Sequence, residues 1–338
     1  MKLRELLGKP RSTPENLDLI MTNPHLSRRG WLSIASGAFT AGALASTTKA
    51  SSVPRPSDEP FGYCLNTSTI RGQKIPLEQE AELAAKAGFH ALEPWISELD
   101  AHVKTGGKLE NLAKQIKDLG LTVESAIGFF EWAVDDDARR KKALDEAKRN
   151  MELVKAIGGT RLAAPPVGAT DRSDMDLKKI GERYRALLEL GDNIGVVPQV
   201  EVWGFSKTLG TLGEAAMVAI SADHPKACIL TDVFHMHKGG SGFHGIKLLN
   251  GNALQVIHLN DYPANPTRDK ITDADRVYPG DGAAPLGQIF RDLNAIGFRG
   301  YLSIELFNRE YWKEDASKVL ATALGKLRKQ VRSALQVQ

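Results

Sequence analysis

Between residues 61 and 308 the chain alternates repeatedly between two hydrophobic periods. Eight short runs are apolar and β-branched for most of their length: FGYCLNTS (61–68), ALEPW (91–95), LTVESAIGF (121–129), TRLAAPP (160–166), VVPQVEVWG (196–204), ACILTDVFH (227–235), LQVIHLNDY (254–262) and GYLSIELFN (300–308). Runs of this kind, closed by loop residues, read as parallel strands buried on both faces. Stretches of helical spacing separate them. One opens at Pro76 and stops at Gly88, with proline at the helix start and glycine past its end. A second puts Leu144, Ala147, Met151 and Val154 on one face ahead of Gly158 and Gly159. A third stripe joins Leu177, Ile180, Tyr184, Leu187 and Leu188, and the last joins Val319, Leu320, Ala323, Leu324, Leu327 and Val331. Strands alternating with helices in this way predict an α/β chain folded as a (β/α)8 TIM barrel over residues 61–338, with its chemistry at the C-terminal strand ends. A doubly wound open sheet is the rival, but no glycine-rich dinucleotide loop follows any strand.

The last four strands share a further property. Each ends near an acidic residue or an imidazole: Glu201, Asp232, His258 and Glu305. Steps of 31, 26 and 47 residues separate them. A βαβ unit takes roughly 30 residues, so each step advances one strand, the last one across a long loop from Asp261 to Ala284. Three carboxylates and one imidazole brought together at buried strand ends cost too much if left unpaired. One divalent metal ion resolves that cost, and oxygen and nitrogen donors favour Mn, Mg, Co or Zn over a thiophilic ion. His235, three residues past Asp232, is placed to hydrogen-bond an oxygen on which charge develops. Arg276, in the long loop, is placed to contact a substrate hydroxyl or carboxylate. Trp95, Phe129, Phe130 and Trp203 follow strand ends and either wall the pocket or pack in the core. Glu93 reads as support for the site or as a polar strand end.

Residues 1–45 are a different object. Ser27-Arg28-Arg29-Gly30-Trp31-Leu32 leads into a mildly apolar run of about 15 residues, WLSIASGAFTAGALA, with Ala43-Leu44-Ala45 as a small-residue cleavage site. This is the pattern of a twin-arginine signal peptide, and the run is too short for a permanent membrane anchor. The expected partner is the twin-arginine export machinery, and the expected location is periplasmic or otherwise extracytoplasmic. Residues 46–60 read as a flexible linker. The first 50 residues carry seven Lys and Arg against three Asp and Glu. The remainder is therefore near neutral, a poor electrostatic match to nucleic acid. Cys64 and Cys228 fall in runs one and six, which are not barrel neighbours, and both are expected to be buried and free. An oligomer is left open.

The runs Gly88-Phe89-His90-Ala91-Leu92-Glu93, Asp232-Val233-Phe234-His235, His258-Leu259-Asn260-Asp261, Arg276-Val277-Tyr278-Pro279-Gly280-Asp281-Gly282 and Glu305-Leu306-Phe307-Asn308, together with Glu201, carry a resemblance. Over essentially all of residues 60–335 the chain resembles the xylose-isomerase-like superfamily. That superfamily holds sugar (phosphate) isomerases and epimerases, inosose dehydratases and apurinic endonucleases. The resemblance implies a (β/α)8 barrel with Glu201, Asp232, His258 and Glu305 as metal ligands. The endonuclease branch binds three zinc ions through extra histidines after strands 2 and 3 and in an Asp-Arg-His triplet after strand 7. The corresponding stretches here read Leu92-Glu93-Pro94-Trp95, Gly128-Phe129-Phe130 and Asp275-Arg276-Val277. One ion is therefore expected. A divalent ion holding a carbonyl oxygen and its neighbouring hydroxyl acidifies the adjacent C–H. Glu201 and Glu305 then serve as catalytic acid and base through an enediolate. The expected function is a metal-dependent isomerase or epimerase of a free sugar or keto-sugar. The alternative is a lyase or dehydratase acting on a keto-sugar or keto-inositol, and a non-catalytic sugar-binding barrel is the weakest reading.

Overall fold

The structure, a computed structural model, describes residues 59–336. The signal peptide read in residues 1–45, and the linker as far as residue 58, lie outside them. Every apolar run contains a strand: β1 Gly62–Asn66, β2 Ala91–Glu93, β3 Thr122–Val123, β4 Arg161–Ala164, β5 Val197–Glu201, β6 Ile229–Asp232, β7 Leu254–Leu259 and β8 Tyr301–Ile304. Nine α-helices intervene among the described residues: α1 Leu77–Ala87, α2 Ile96–Lys104, α3 Leu109–Asp118, α4 Asp137–Ala156, α5 Leu177–Ile194, α6 Leu212–Ser221, α7 Val233–Gly239, α8 Leu286–Ala295 and α9 Ala316–Leu335. The helix expected between Pro76 and Gly88 is α1, and Gly88 caps it at φ 94°, a left-handed conformation that glycine adopts without strain. The stripe read along α9 is buried throughout.

All strand pairs are parallel, in the order β3-β2-β1-β8-β7-β6-β5-β4. The ring closes beyond β3, where the strand itself is only two residues long. Ala126 N donates to Arg161 O at 3.1 Å, and Ala163 N donates to Ala126 O at 2.9 Å. The predicted (β/α)8 barrel is therefore the observed fold.

Side chains on a strand alternate between two faces, and this alternation places the site. Leu65, Leu92, Leu162, Val200, Ile229, Ile257 and Leu302 turn outward into the core beneath the helices. Ile127, Ala163, Leu230 and Val256 form a separate cluster inside the barrel, with Trp95 and Tyr301 packed against it. Two residues further along the inward face stand Asp232 above Leu230 and His258 above Val256. By the same parity Asn66, Glu93, Glu201 and Glu305 face the barrel mouth.

Both cysteines are buried and free. Glu59 is buried, and its Oε1 lies 2.7 Å from Arg332 Nη2 on α9.

Lys238 Nζ holds the middle of the long loop after β7 through Arg268 O, Asp269 O and Ile271 O, and Asp261 gathers its ends. Asp261 Oδ2 accepts hydrogen bonds from Gly280 N (2.9 Å) and Gly282 N (3.1 Å), and Oδ1 accepts from Tyr262 N (2.8 Å) and Ala284 N (2.9 Å). A Cβ at Gly282 would stand 2.3 Å from Asp261 Oδ1, so this approach requires glycine. Asp261 and Val277 also exchange two backbone hydrogen bonds. The loop is thereby folded back over the mouth, with Arg276 beside the anchor point.

Candidate metal centre

His258 stands at the centre of the mouth with no exposed surface. Its Nδ1 is 3.3 Å from Glu305 Oε2, 3.7 Å from Asp232 Oδ2 and 3.9 Å from Glu201 Oε1. The four strand-end residues read from the sequence thus converge, and strand register explains much of it. Asp232 is level with His258 across β6 and β7, and His258 is level with Ser303 across β7 and β8. Asp232 has a second task. Its Oδ1 accepts from His235 N at 3.0 Å, capping α7, while Oδ2 faces the centre. The cap sets His235 in the first turn of α7, next to the site.

A second set of groups holds the first. Glu93 Oε2 lies 3.0 Å from His258 Nε2, an oblique contact on the imidazole's far side. The same oxygen accepts from Ser303 Oγ at 2.7 Å and from Asn66 Nδ2 at 3.0 Å. Asn66 Nδ2 also donates to Glu305 Oε1 at 3.2 Å, and Trp95 Nε1 donates to Asn66 Oδ1 at 3.0 Å. Asn260 Nδ2 donates to Asp232 Oδ1 at 3.2 Å. Arg276 reaches in from the loop, fully buried. Its Nη1 donates to Asp232 Oδ2 at 2.7 Å and to Glu305 Oε2 at 2.8 Å, while Nη2 and Nε donate to Asp273 Oδ1 at 2.6 and 3.0 Å.

Ionisation follows from these surroundings. Burial pushes the Glu201 carboxyl up to about 8, with His258 offsetting part of the rise and Glu305 and Asp232 adding to it. Burial raises Glu305 as well, against the pull of His258 and Arg276. It would also raise Asp232, but Arg276, His235 and His258 hold that carboxyl well below the usual range. Burial would discharge His258, yet Glu305 and Glu93 hold its proton far more tightly than a free imidazole does. Burial lowers His235 to about 4. Arg276 Nη2 lies 3.2 Å from His235 Nε2; a guanidinium only donates, so that nitrogen accepts and Nδ1 carries the proton.

The donor set fits one divalent ion. His258 Nδ1 is a buried nitrogen without an aligned hydrogen bond, surrounded by three carboxylates. Donor atoms of Asp232, His258 and Glu305 cluster there; His258 Nδ1 is 3.3 Å from Glu305 Oε2 and 3.7 Å from Asp232 Oδ2, close to the roughly 3.4 Å between ligands of one tetrahedral ion with bonds of about 2.1 Å. Glu201 Oε1 approaches from β5, 3.9 Å from His258 Nδ1. Where the three-zinc pattern has histidines, this chain sets other groups. Glu93 serves His258, the Trp95 and Phe129 rings lie 5.5 Å apart and tilted at 44°, and Val277 stands in place of the triplet's histidine.

Of the four aromatic residues that followed strand ends, Trp95, Phe129 and Trp203 form a wall, with Phe129 and Trp203 rings 6.3 Å apart. Phe130 packs in the core. Phe205 and Phe307 extend the wall beside His235 and Trp95 respectively. The sequence reading missed Asn66, Ser303, Asn260 and Asp273. Inward parity was the available signal for the first two, since Asn66 closes β1 and Ser303 stands two residues before Glu305.

Known proteins resemble this chain over much of its length. The inosose isomerase of Bacillus velezensis is 29% identical over 270 residues, covering 77% of this chain and 93% of that protein. The 3-dehydro-D-guloside 4-epimerase of Escherichia coli K12 is 24% identical over 212 residues, 58% of this chain and 76% of that one. The crystal structure of the IOLI protein with a bound zinc atom superposes with a TM-score of 0.75 at 24% identity, covering 81% of this chain and 99% of that one. The pattern common to xylose isomerase-like TIM barrels matches residues 81–330, and with the barrel and its mouth in place the chain belongs to that family.

Proposed function

We propose that this protein is a metal-dependent isomerase or epimerase of an unphosphorylated keto-sugar or keto-inositol. The observation that carries the reading is the placing of Glu201 and Glu305 about one buried imidazole nitrogen, at 3.9 and 3.3 Å, from β5 and β8. Glu201, Asp232, His258 and Glu305 would hold a divalent ion, which would supply Lewis acidity toward a substrate carbonyl. The chain's own residues do the rest. One of the two glutamates takes the proton from the carbon beside the carbonyl, and one returns it. Neutral His235, and Arg276 once an ion displaces its Nη1 from the carboxylates, would each offer an N–H to the oxygen where negative charge collects. The wall of Trp95, Phe129 and Trp203 excludes water and offers flat faces to a sugar ring.

The absence of a phosphate from the substrate is supported by the loop after β7. Gly280 N and Gly282 N, the donors a phosphate would need there, are already taken by Asp261. Relatives acting on an inosose and a 3-dehydro-guloside support the same class of carbonyl compound.

Incubation of the metal-loaded protein with a keto-inositol and a panel of keto-sugars in D₂O, followed by NMR, tests the proposal. Deuterium at a carbon adjacent to the carbonyl, with the skeleton intact, is expected. Loss of a hydroxyl would make the enzyme a lyase, and undeuterated, unchanged sugars would overturn both readings.

The site of action is proposed to be outside the cytoplasm, on the strength of Arg28 and Arg29 ahead of the apolar run. Replacing both with Lys should leave unprocessed precursor in the cytoplasm, because the paired guanidinium groups are what the export receptor reads. Normal processed protein beyond the inner membrane contradicts it.

A further inference from the structure

Asp232 Oδ2 and Glu305 Oε2 face His258 Nδ1 and would bind the ion, yet both already accept a hydrogen bond from one donor, Arg276 Nη1, at 2.7 and 2.8 Å. The guanidinium has no exposed surface. Its carbon lies 4.6 Å from the Phe234 ring centre and 5.1 Å from that of Phe307, and Asn308 Nδ2 donates to the backbone oxygen of Arg276 at 3.0 Å. Its other nitrogens have partners away from the centre: Asp273 Oδ1 for Nη2 and Nε, and His235 Nε2 for Nη2. Only Nη1 is committed to the carboxylates of the ligand set.

Resting on the metal-centre reading above, we propose that Arg276 is a resident counter-ion of the site, so that metal binding exchanges a guanidinium bond for an ion. Three carboxylates in a buried mouth require positive charge at all times. In the metal-free protein Arg276 provides it, together with His258. When an ion takes Asp232 Oδ2 and Glu305 Oε2, it meets a fixed positive charge that weakens its binding. Asp273 and His235 retain Nη2 and Nε, so Nη1 is released while the side chain stays anchored. The arrangement sets metal affinity below what the four ligands alone would give, and it frees an N–H at the moment the site becomes competent.

The sign of this effect separates it from a supporting role, since removing a mere support weakens metal binding. Arg276→Met keeps the length and removes the charge; Arg276→Lys keeps the charge. With zinc alone as the probe, competition against a chromophoric chelator should show the Met variant binding at least about tenfold more tightly than wild type, as expected for removing a buried like charge. The Lys variant should stay near wild type. The metal-free Met variant should melt at a lower temperature than wild type, with zinc restoring most of the difference. Asp273→Asn gives an independent reading if the Met variant does not fold. It leaves Arg276 without its outer carboxylate, more positive toward the centre, and zinc should bind more weakly. Zinc affinity in Arg276→Met equal to or below wild type overturns the proposal, as does unchanged or tighter binding in Asp273→Asn. Wild-type protein that binds no zinc at all would instead overturn the metal centre itself, and this inference with it.

Discussion

The two halves of the barrel do different work at the same mouth. Strands β5 to β8 deliver Glu201, Asp232, His258 and Glu305, the groups proposed to hold an ion and move a proton. Strands β1 and β2 deliver Asn66 and Glu93, which touch the same imidazole and carboxylate from behind. Past β2 and β3 come Trp95 and Phe129, a wall. Chemistry is thus concentrated in one half, and orientation and water exclusion in the other. The ring makes the division workable, because β1 pairs with β8. Residues 239 positions apart, Asn66 and Glu305, become hydrogen-bond partners.

The sharpest way to break this division is to alter one residue in the half that carries chemistry. Glu305→Gln keeps an oxygen for the ion but cannot take a proton. Turnover should fall by about 10²–10⁴ with the metal retained, the usual worth of a positioned proton transfer. Asp232→Asn should act mainly through metal affinity, and excess metal should restore part of its activity. Steady-state rates at equal metal occupancy check the contrast. Near-wild-type turnover by metal-loaded Glu305→Gln would reduce Glu305 to a ligand.

The supporting half should yield smaller losses of a different kind. Glu93 lies beside the nitrogen of His258 that faces away from the ion, and removing such a partner typically costs 10–100-fold in metal affinity. Glu93→Ala should therefore weaken zinc binding by about that factor, with Glu93→Gln between it and wild type. Zinc titration measures it. Wild-type affinity in both variants would make Glu93 a bystander.

The unequal legibility of the two halves has a physical cause. In β5 to β8 a charged or imidazole side chain interrupts an apolar, β-branched run, and burial makes that interruption costly enough to be read directly. Asn66 is neutral and Ser303 is small, so inward parity alone marks them, while Glu93, ending a three-residue strand, reads equally as support or as a polar strand end. Their partners are set by barrel closure. Arg276 was legible as a site residue from the long loop, but its bonds to Asp232 and Glu305 were not. They depend on Asp261 folding that loop back across the mouth. The strand after Leu121 was read as nine residues long, and only Thr122–Val123 forms a regular ladder. Beyond it the backbone bonds alternately to neighbours on both sides, with Ile127 N donating to Pro94 O and Ala126 N to Arg161 O.

The smallest expected effect is one of pH, and it too belongs to the chemical half. In the metal-free protein Glu201 is pushed up to about 8, so it holds a proton at neutral pH that an entering ion must expel. Apparent zinc affinity should rise with pH up to about 8, by no more than roughly tenfold per unit for this proton. For the metal-free fold the sign is the reverse. A carboxyl raised from 4.5 to about 8 favours the folded state fully below its unfolded value, and that contribution is lost as pH climbs through the interval. Calorimetry in buffers of different ionisation enthalpy counts the released proton, and a flat affinity from about pH 6 to 8 would contradict the Glu201 assignment.

The most direct measurement of the central claim is the metal content of the purified, metal-saturated chain after removal of loosely held ions, read by elemental analysis. One divalent ion per chain is the expected result, because Glu201, Asp232, His258 and Glu305 make one set, and the stretches around Trp95, Phe129 and Val277 lack the histidines that further ions would need. Two or three stoichiometric ions, or none, would contradict it.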